Sequence, residues 1–147
     1  FIGEGDQRMA LESRAGTMNW RSIQFLGFRN QTELPGYYDL CDVLVLPSAF
    51  DPWGLVINEV MNAGRAVVVS DQVGCGPDLV RKGENGYVFQ AGDIAGLRQA
   101  LVNLLSDPQR CRALGQKSLE IIDKWGIEED VAGLKLALAY AMKNKQA

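Results

Sequence analysis

Apolar residues in this chain fall into short unbroken runs separated by stretches with helical spacing. Val43-Leu44-Val45-Leu46 and Ala66-Val67-Val68-Val69 are continuously apolar, the pattern of strands covered on both faces in a parallel sheet. Between them, residues 47–54 carry Pro47, Ser48, Pro52 and Gly54 and predict a loop, and the segment from Leu55 to Gly64 predicts a helix. The unit is strand, loop, helix, strand. Ile23-Gln24-Phe25-Leu26-Gly27-Phe28 predicts a further strand, and Tyr87-Val88-Phe89 a last short one after the Asn85-Gly86 turn. Phe1-Ile2, running into Gly3-Glu4-Gly5, looks like the tail of another strand.

The helices have start and stop signals of their own. Asp6 predicts a cap for a helix over residues 7–15, closed by Gly16 in a left-handed conformation. Thr32 predicts the cap of a helix reaching Asp39, with Pro35 tolerated in its first turn and Tyr37 and Tyr38 as partly buried packing residues. Gly76 and Pro77 fit the cap and first turn of a short helix. Asp93 caps residues 95–105, and Asp107-Pro108 opens a second helix in which Gly115 is a tolerated soft spot. Ile127, Val131, Leu134, Leu138 and Met142 recur at helical spacing over 127–143, an amphipathic helix whose stripe suits packing on the core or against another domain. Trp125 is placed to anchor the turn before it, and Lys143 and Lys145 suit the negative end of its dipole.

Strands alternating with helices predict an α/β fold with a Rossmann-like parallel sheet, and such sheets bind ligands beyond the carboxyl ends of their strands. Residues 47–54 lie there. Gly54 frees the backbone for close approach, and the following helix aims unpaired N–H groups and its positive end at the same place, a seat for an anion. Asp51 in the loop and Glu59, about two turns inside the helix, bracket this seat; a rise of ~1.5 Å per residue suits them to an extended polar ligand.

Composition narrows the chemistry. The 147 residues include 15 basic and 18 acidic side chains with no basic run, which argues against nucleic acid or an anionic membrane as the main partner. No long uncharged apolar span and no secretory pattern are present, so membrane insertion is not expected. Cys41, Cys75 and Cys111 are odd in number and widely spaced, fitting a reduced cytoplasmic chain; Cys75, near a helix start, is the one thiol with a reactive setting to weigh against simple packing. Histidine is absent, which removes the commonest general base and metal ligand.

The central stretch resembles the signature of retaining glycosyltransferase family four, in which an acidic residue, seven others and a glutamate enclose an aromatic-Gly-aliphatic run. Here it reads Asp51-Pro52-Trp53-Gly54, then Glu59-Val60-Met61 and Gly64-Arg65-Ala66-Val67, with Asp in place of the usual first Glu. Phe25-Leu26-Gly27, Tyr37-Tyr38-Asp39-Leu40-Cys41-Asp42 and Asn85-Gly86-Tyr87-Val88 are similar to further family segments. The resemblance implies the two-domain GT-B fold and transfer of a hexosyl group from a nucleotide-diphosphate sugar to a hydroxyl acceptor, without a metal, in polysaccharide or glycoconjugate synthesis. It implies that Asp51 positions the donor sugar and that the N–H groups of Gly54, Leu55 and Val56 hold the diphosphate. Glu59 would grip the ribose, the backbone at Gly27 and Phe28 would meet the base, and Gly3 and Gly5 would border it.

By the same resemblance residues 1–147 form a single, N-terminally truncated donor domain. It would lack a first strand and helix with an Arg and a Lys for the diphosphate, and the N-terminal acceptor domain toward which the last helix would pack. Arg65 and Arg81 do not occupy matching positions. Such a fragment is expected to self-associate and to be inactive alone, within a cytoplasmic parent compatible with peripheral attachment to a membrane. A sugar-nucleotide 2-epimerase half, whose cleft would want a histidine, and a noncatalytic α/β binding module are the alternatives.

Overall fold

The computed structural model describes residues 1–18, 20 and 22–144. In chain order the elements are α1 (Arg8–Thr17), α2 (Leu34–Leu40), β1 (Val43–Leu46), α3 (Leu55–Asn62), β2 (Ala66–Ser70), α4 (Gly76–Leu79), β3 (Gly86–Phe89), α5 (Ile94–Leu105), α6 (Pro108–Ile122) and α7 (Ile127–Asn144). Two compact units divide the chain, Phe1–Tyr37 and Tyr38–Ala147.

The second unit is built on a three-stranded parallel sheet in the order β1-β2-β3, Rossmann-like and flanked by helices. The register pairs Val45 with Val68 and Val68 with Tyr87. All five residues of β2 are fully buried, as a central strand requires. On one face Ala66 and Val68 join Tyr87 and Phe89 against Ala100, Leu104, Cys111 and Leu114 of α5 and α6. Val67 and Val69 alternate to the opposite face, and α3 contributes Ile57, Val60 and Met61 to the buried interior. Each such side chain contributes roughly 1.5–3 kcal/mol relative to exposure. β1 is only half-buried, not covered on both faces as its sequence suggests. It pairs on one side with β2 alone, and among the described residues no strand of this sheet lies beyond it.

Caps written in sequence hold at α5 and α6: Asp93 accepts from the N–H of Gly96, and Asp107 from those of Gln109 and Arg110. At α4 the cap position is Cys75, and Gly76 begins the helix. Gly115 is no soft spot, since a Cβ there would stand 2.1 Å from the Gly64 carbonyl oxygen; its bare Cα admits the chain that follows α3. Along α7 no residue is buried, and Leu134, Leu136, Leu138, Tyr140 and Met142 are exposed. Within the second unit this helix therefore adds nothing to the core. The expectation for Lys145 lies outside the described residues.

In the first unit, Phe1 takes the place of a strand residue. Its amino group donates to the Gln24 carbonyl at 2.7 Å, its carbonyl accepts from the Leu26 N–H at 2.9 Å, and its ring stacks on Phe25 at 5.0 Å. Residues 23–28 make no regular strand; these isolated bonds are what remains of the expected one. Asp6 does not cap α1, which starts from Gln7 without a side-chain cap, and Gly16 lies inside the helix rather than ending it in a left-handed turn. The turn before α2 is held by Asn30, not Thr32: its Oδ1 accepts from the N–H groups of Thr32 and Glu33 and from the Thr32 hydroxyl.

Candidate functional site

The loop after β1 is held by a second loop. The Asp51 N–H donates to the Gln72 carbonyl at 3.0 Å, and the Gly74 N–H to the Asp51 carbonyl at 3.0 Å. The Cys75 N–H donates to the Trp53 carbonyl at 2.9 Å. These bonds extend the parallel pairing of β1 and β2 past the strand ends, with Asp51 opposite Val73. Contact is close because position 74 is glycine: a Cβ there would lie 2.0 Å from the Pro52 carbonyl oxygen.

Within this frame Asp51 is half-buried and its Oδ1 accepts from the Trp53 N–H at 3.1 Å, leaving its other oxygen without a protein partner among the bonds described. The chain then turns through Gly54 at φ +87°, ψ 56°. A side chain is excluded there twice, by the left-handed conformation and by space, since a Cβ would meet Val73 Cγ1 at 2.7 Å and Leu46 Cδ2 at 3.3 Å. Gly54 is buried, and α3 starts immediately after it with no side-chain cap and no acidic residue in its first turn. The first-turn N–H groups of Leu55 and Val56 have no helical carbonyl behind them, and Leu55 is 69% exposed. Glu59, also exposed, stands on the same helix. Because α3 begins at Leu55, it lies about one turn from the start, not two.

Two contacts at this site are invisible in the sequence. Tyr38 is buried, and its hydroxyl donates to Glu59 Oε2 at 2.6 Å; a side chain expected merely to pack is a partner of the acid. Burial, then the hydrogen bond to Glu59, pushes the phenol well above its ordinary value, so it stays a donor. The second contact is aromatic. Trp53 Nε1 donates to Asn58 Oδ1 at 3.0 Å and its ring meets that of Trp125 at 5.9 Å between centroids, tilted by 45°. Trp125 thus anchors the turn before α7 as expected, and its partner is the loop after β1 itself. Only an aromatic in the loop and another at a helix entrance hinted at this pair, 72 positions apart in the chain.

Other expectations divide. Cys75 is wholly buried, and burial foremost pushes its thiol up to about 11, the setting of an inert packing residue. Arg65 is spent on structure, its Nη2 donating to the Asp39 carbonyl at 2.7 Å. In the first unit Gly3 and Gly27 come together through an N–H to carbonyl bond of 2.8 Å, the Gly5 carbonyl accepts from the Arg8 N–H, and Phe28 is 73% exposed. Among the described residues no group of three or more Cys, Asp or Glu side chains is placed to hold a metal ion. No described helix is long and apolar enough to cross a membrane.

A parallel sheet, a glycine-led helix start at its carboxyl edge and helices on its faces define a Rossmann-like domain of the GT-B type. Residues 1–107 match the family model described as glycosyl transferases group 1, and the chain belongs to that family. It is 34% identical over 142 residues to a glycogen synthase of Mycobacterium tuberculosis, covering 93% of this chain and 34% of that protein. It is 31% identical over 128 residues to a sulfoquinovosyl transferase of Arabidopsis thaliana, covering 85% of this chain and 24% of that one. Sucrose-phosphate synthase of Thermosynechococcus elongatus superposes with a TM-score of 0.77 at 27% identity, over 97% of this chain and 36% of the other. Anabaena HepE, solved in complex with UDP-glucose, superposes with a TM-score of 0.74 at 25% identity, over 97% and 40%. The chain spans about a third or less of the length of these curated relatives.

Proposed function

We propose that this chain is the donor-binding domain of a retaining, metal-independent glycosyltransferase of family four. It would move a hexosyl group from a nucleotide-diphosphate sugar to a hydroxyl acceptor held by a separate N-terminal domain. The observation that carries this reading is the uncapped N-terminus of α3, entered through the left-handed Gly54, with Asp51 pinned before it and Glu59 one turn within it. In this reading the N–H groups of Gly54, Leu55 and Val56 take the diphosphate, Asp51 takes donor-sugar hydroxyls and Glu59 takes the ribose. Gly27 and Phe28 meet the base, with Gly3 and Gly5 at its border. The exposed apolar stripe of α7 packs against the acceptor domain. Three free cysteines suit a reaction in the cytoplasm.

Chemistry follows from electrostatics. A helix start directed at the leaving diphosphate stabilises charge as the glycosidic bond breaks, and the departing phosphate oxygen takes the proton of the incoming hydroxyl on the same face of the sugar. No side-chain base is then required, in keeping with a chain without histidine. The activities named for the relatives, glycogen synthase, sulfoquinovosyl transferase and sucrose-phosphate synthase, support a sugar donor as substrate class.

The test is calorimetric titration of UDP, GDP and ADP into the full-length protein, beside Glu59→Ala. Hydrogen bonds to a charged group are worth about 1.5–3 kcal/mol each, so the variant is expected to lose at least about tenfold in affinity. Because the buried Tyr38 hydroxyl also loses its acceptor, at a cost of about 1–3 kcal/mol of stability, both proteins are titrated well below their unfolding midpoints. Unchanged nucleotide affinity would remove Glu59 from the ribose and overturn this reading of the site.

A further inference from the structure

Glu59 is an exposed side chain on a helix rim, and a free glutamate there samples many rotamers. Fixing it on ligand arrival costs entropy. One of its oxygens is already held by the hydroxyl of Tyr38, at 2.6 Å. That hydroxyl comes from a buried ring, and the backbone around it is tied down in turn. The Tyr38 carbonyl accepts from the Cys41 N–H at 3.4 Å and from the Cys41 thiol at 3.3 Å, and the next carbonyl, of Asp39, accepts from Arg65 at 2.7 Å. A rigid donor thus reaches from α2 to a flexible acceptor on α3.

Resting on the assignment of Glu59 to the ribose, we propose that Tyr38 is a positioning residue. Its hydroxyl orients the Glu59 carboxylate before ligand binds, and through it sets the preference of the site for ribose over 2′-deoxyribose. Tyr38 donates to Oε2, which leaves Oε1 and the remaining lone pair of Oε2 for sugar hydroxyls. A diol meets both; a 2′-deoxy sugar loses the bond that most needs the carboxylate turned correctly.

The experiment uses the full-length protein and whichever of UDP, GDP and ADP the wild type binds most tightly, together with its 2′-deoxy counterpart, against wild type, Tyr38→Phe, Glu59→Ala and the double variant. Tyr38→Phe is expected to weaken the ribonucleotide by roughly three- to tenfold, the scale of one side chain's rotamer entropy. The 2′-deoxynucleotide should move far less, so that discrimination between the two sugars falls. In the Glu59→Ala background the tyrosine change should add nothing. Equal losses for both sugars in Tyr38→Phe, as a damaged fold would give, would overturn the proposal. So would unchanged ribonucleotide affinity in that variant while Glu59→Ala binds weakly, which sinks the role of Tyr38 and spares that of Glu59. If Glu59→Ala binds as wild type, or none of the three nucleotides binds, the ribose assignment itself fails and the positioning role with it.

Discussion

Replacing Gly74 by alanine adds one methyl group where two loops touch. The new Cβ would stand 2.0 Å from the Pro52 carbonyl oxygen and 3.2 Å from the Trp53 nitrogen, against an ordinary contact of 3.4–4 Å. Backbone atoms cannot swing aside as a side chain does, so the loops must part by more than an ångström. Parting them stretches the bonds from Gly74 to Asp51 and from Cys75 to Trp53, both about 3 Å long. Two backbone bonds at a net ~0.5–1.5 kcal/mol each, with overpacking of ~1–3 kcal/mol, give a loss of roughly 2–6 kcal/mol. The control is Gly83→Ala. Gly83 has φ +78° with nothing within 4 Å of an added Cβ, so only left-handed strain of ~1–2 kcal/mol applies. Urea denaturation of both variants measures the difference, and nucleotide titration reads the displacement of Asp51 and Gly54. Gly74→Ala as stable as Gly83→Ala, with wild-type nucleotide affinity, would refute the view that the second loop fixes the first.

Three further outcomes are expected. Asn85 is fully buried, accepting from the Arg81 N–H at 2.7 Å and donating to the Leu79 carbonyl at 2.9 Å; Asn85→Ala should lose about 2–5 kcal/mol in chemical denaturation by stranding both groups. The Cys75 thiol, raised from 9.0 to about 11, binds its proton more tightly in the folded state. Its contribution is fully present below pH 9.0 and lost as pH rises through about 11, so denaturation midpoints of Cys75→Ala should fall less steeply over that window than those of wild type. Residues 1–147 expressed alone should self-associate through α7, and Leu134→Glu with Leu138→Glu should restore a monomer by light scattering; unchanged association would place the contact elsewhere.

What the sequence revealed depended on whether the signal was local. The runs at 43–46 and 66–69 are unbroken, apolar and rich in β-branched valine, and no amphipathic helix competes for them, so both strands and the helix between them appear where the pattern puts them. Asp93 and Asp107 stand directly before helical runs, the second opened by Pro108 where its missing N–H costs nothing, and both cap as expected. Asp6 and Thr32 carry the same local signature, yet the Thr32 hydroxyl is engaged by Asn30 Oδ1, which also gathers the N–H groups of Thr32 and Glu33. Composition at 23–28 favours a strand, but a ladder needs a partner along its length and Phe1 supplies it only briefly. Gly115 reads as a helix weakness because the Gly64 carbonyl that requires it is 51 residues away in the chain. At the site, loop, glycine and acids were legible because they are consecutive. Tyr38 was not, since a hydrogen bond across 21 residues leaves no spacing to read.

The contact between Trp53 and Trp125 ties the packing of the loop to that of the turn before α7. α7 begins two residues after Trp125, and Trp53 is held in addition by its Nε1 bond to Asn58 and its backbone N–H on Asp51. Because α7 has no buried residue of its own, any surface that covers that helix also bears on how Trp125 sits against the loop that carries the acid.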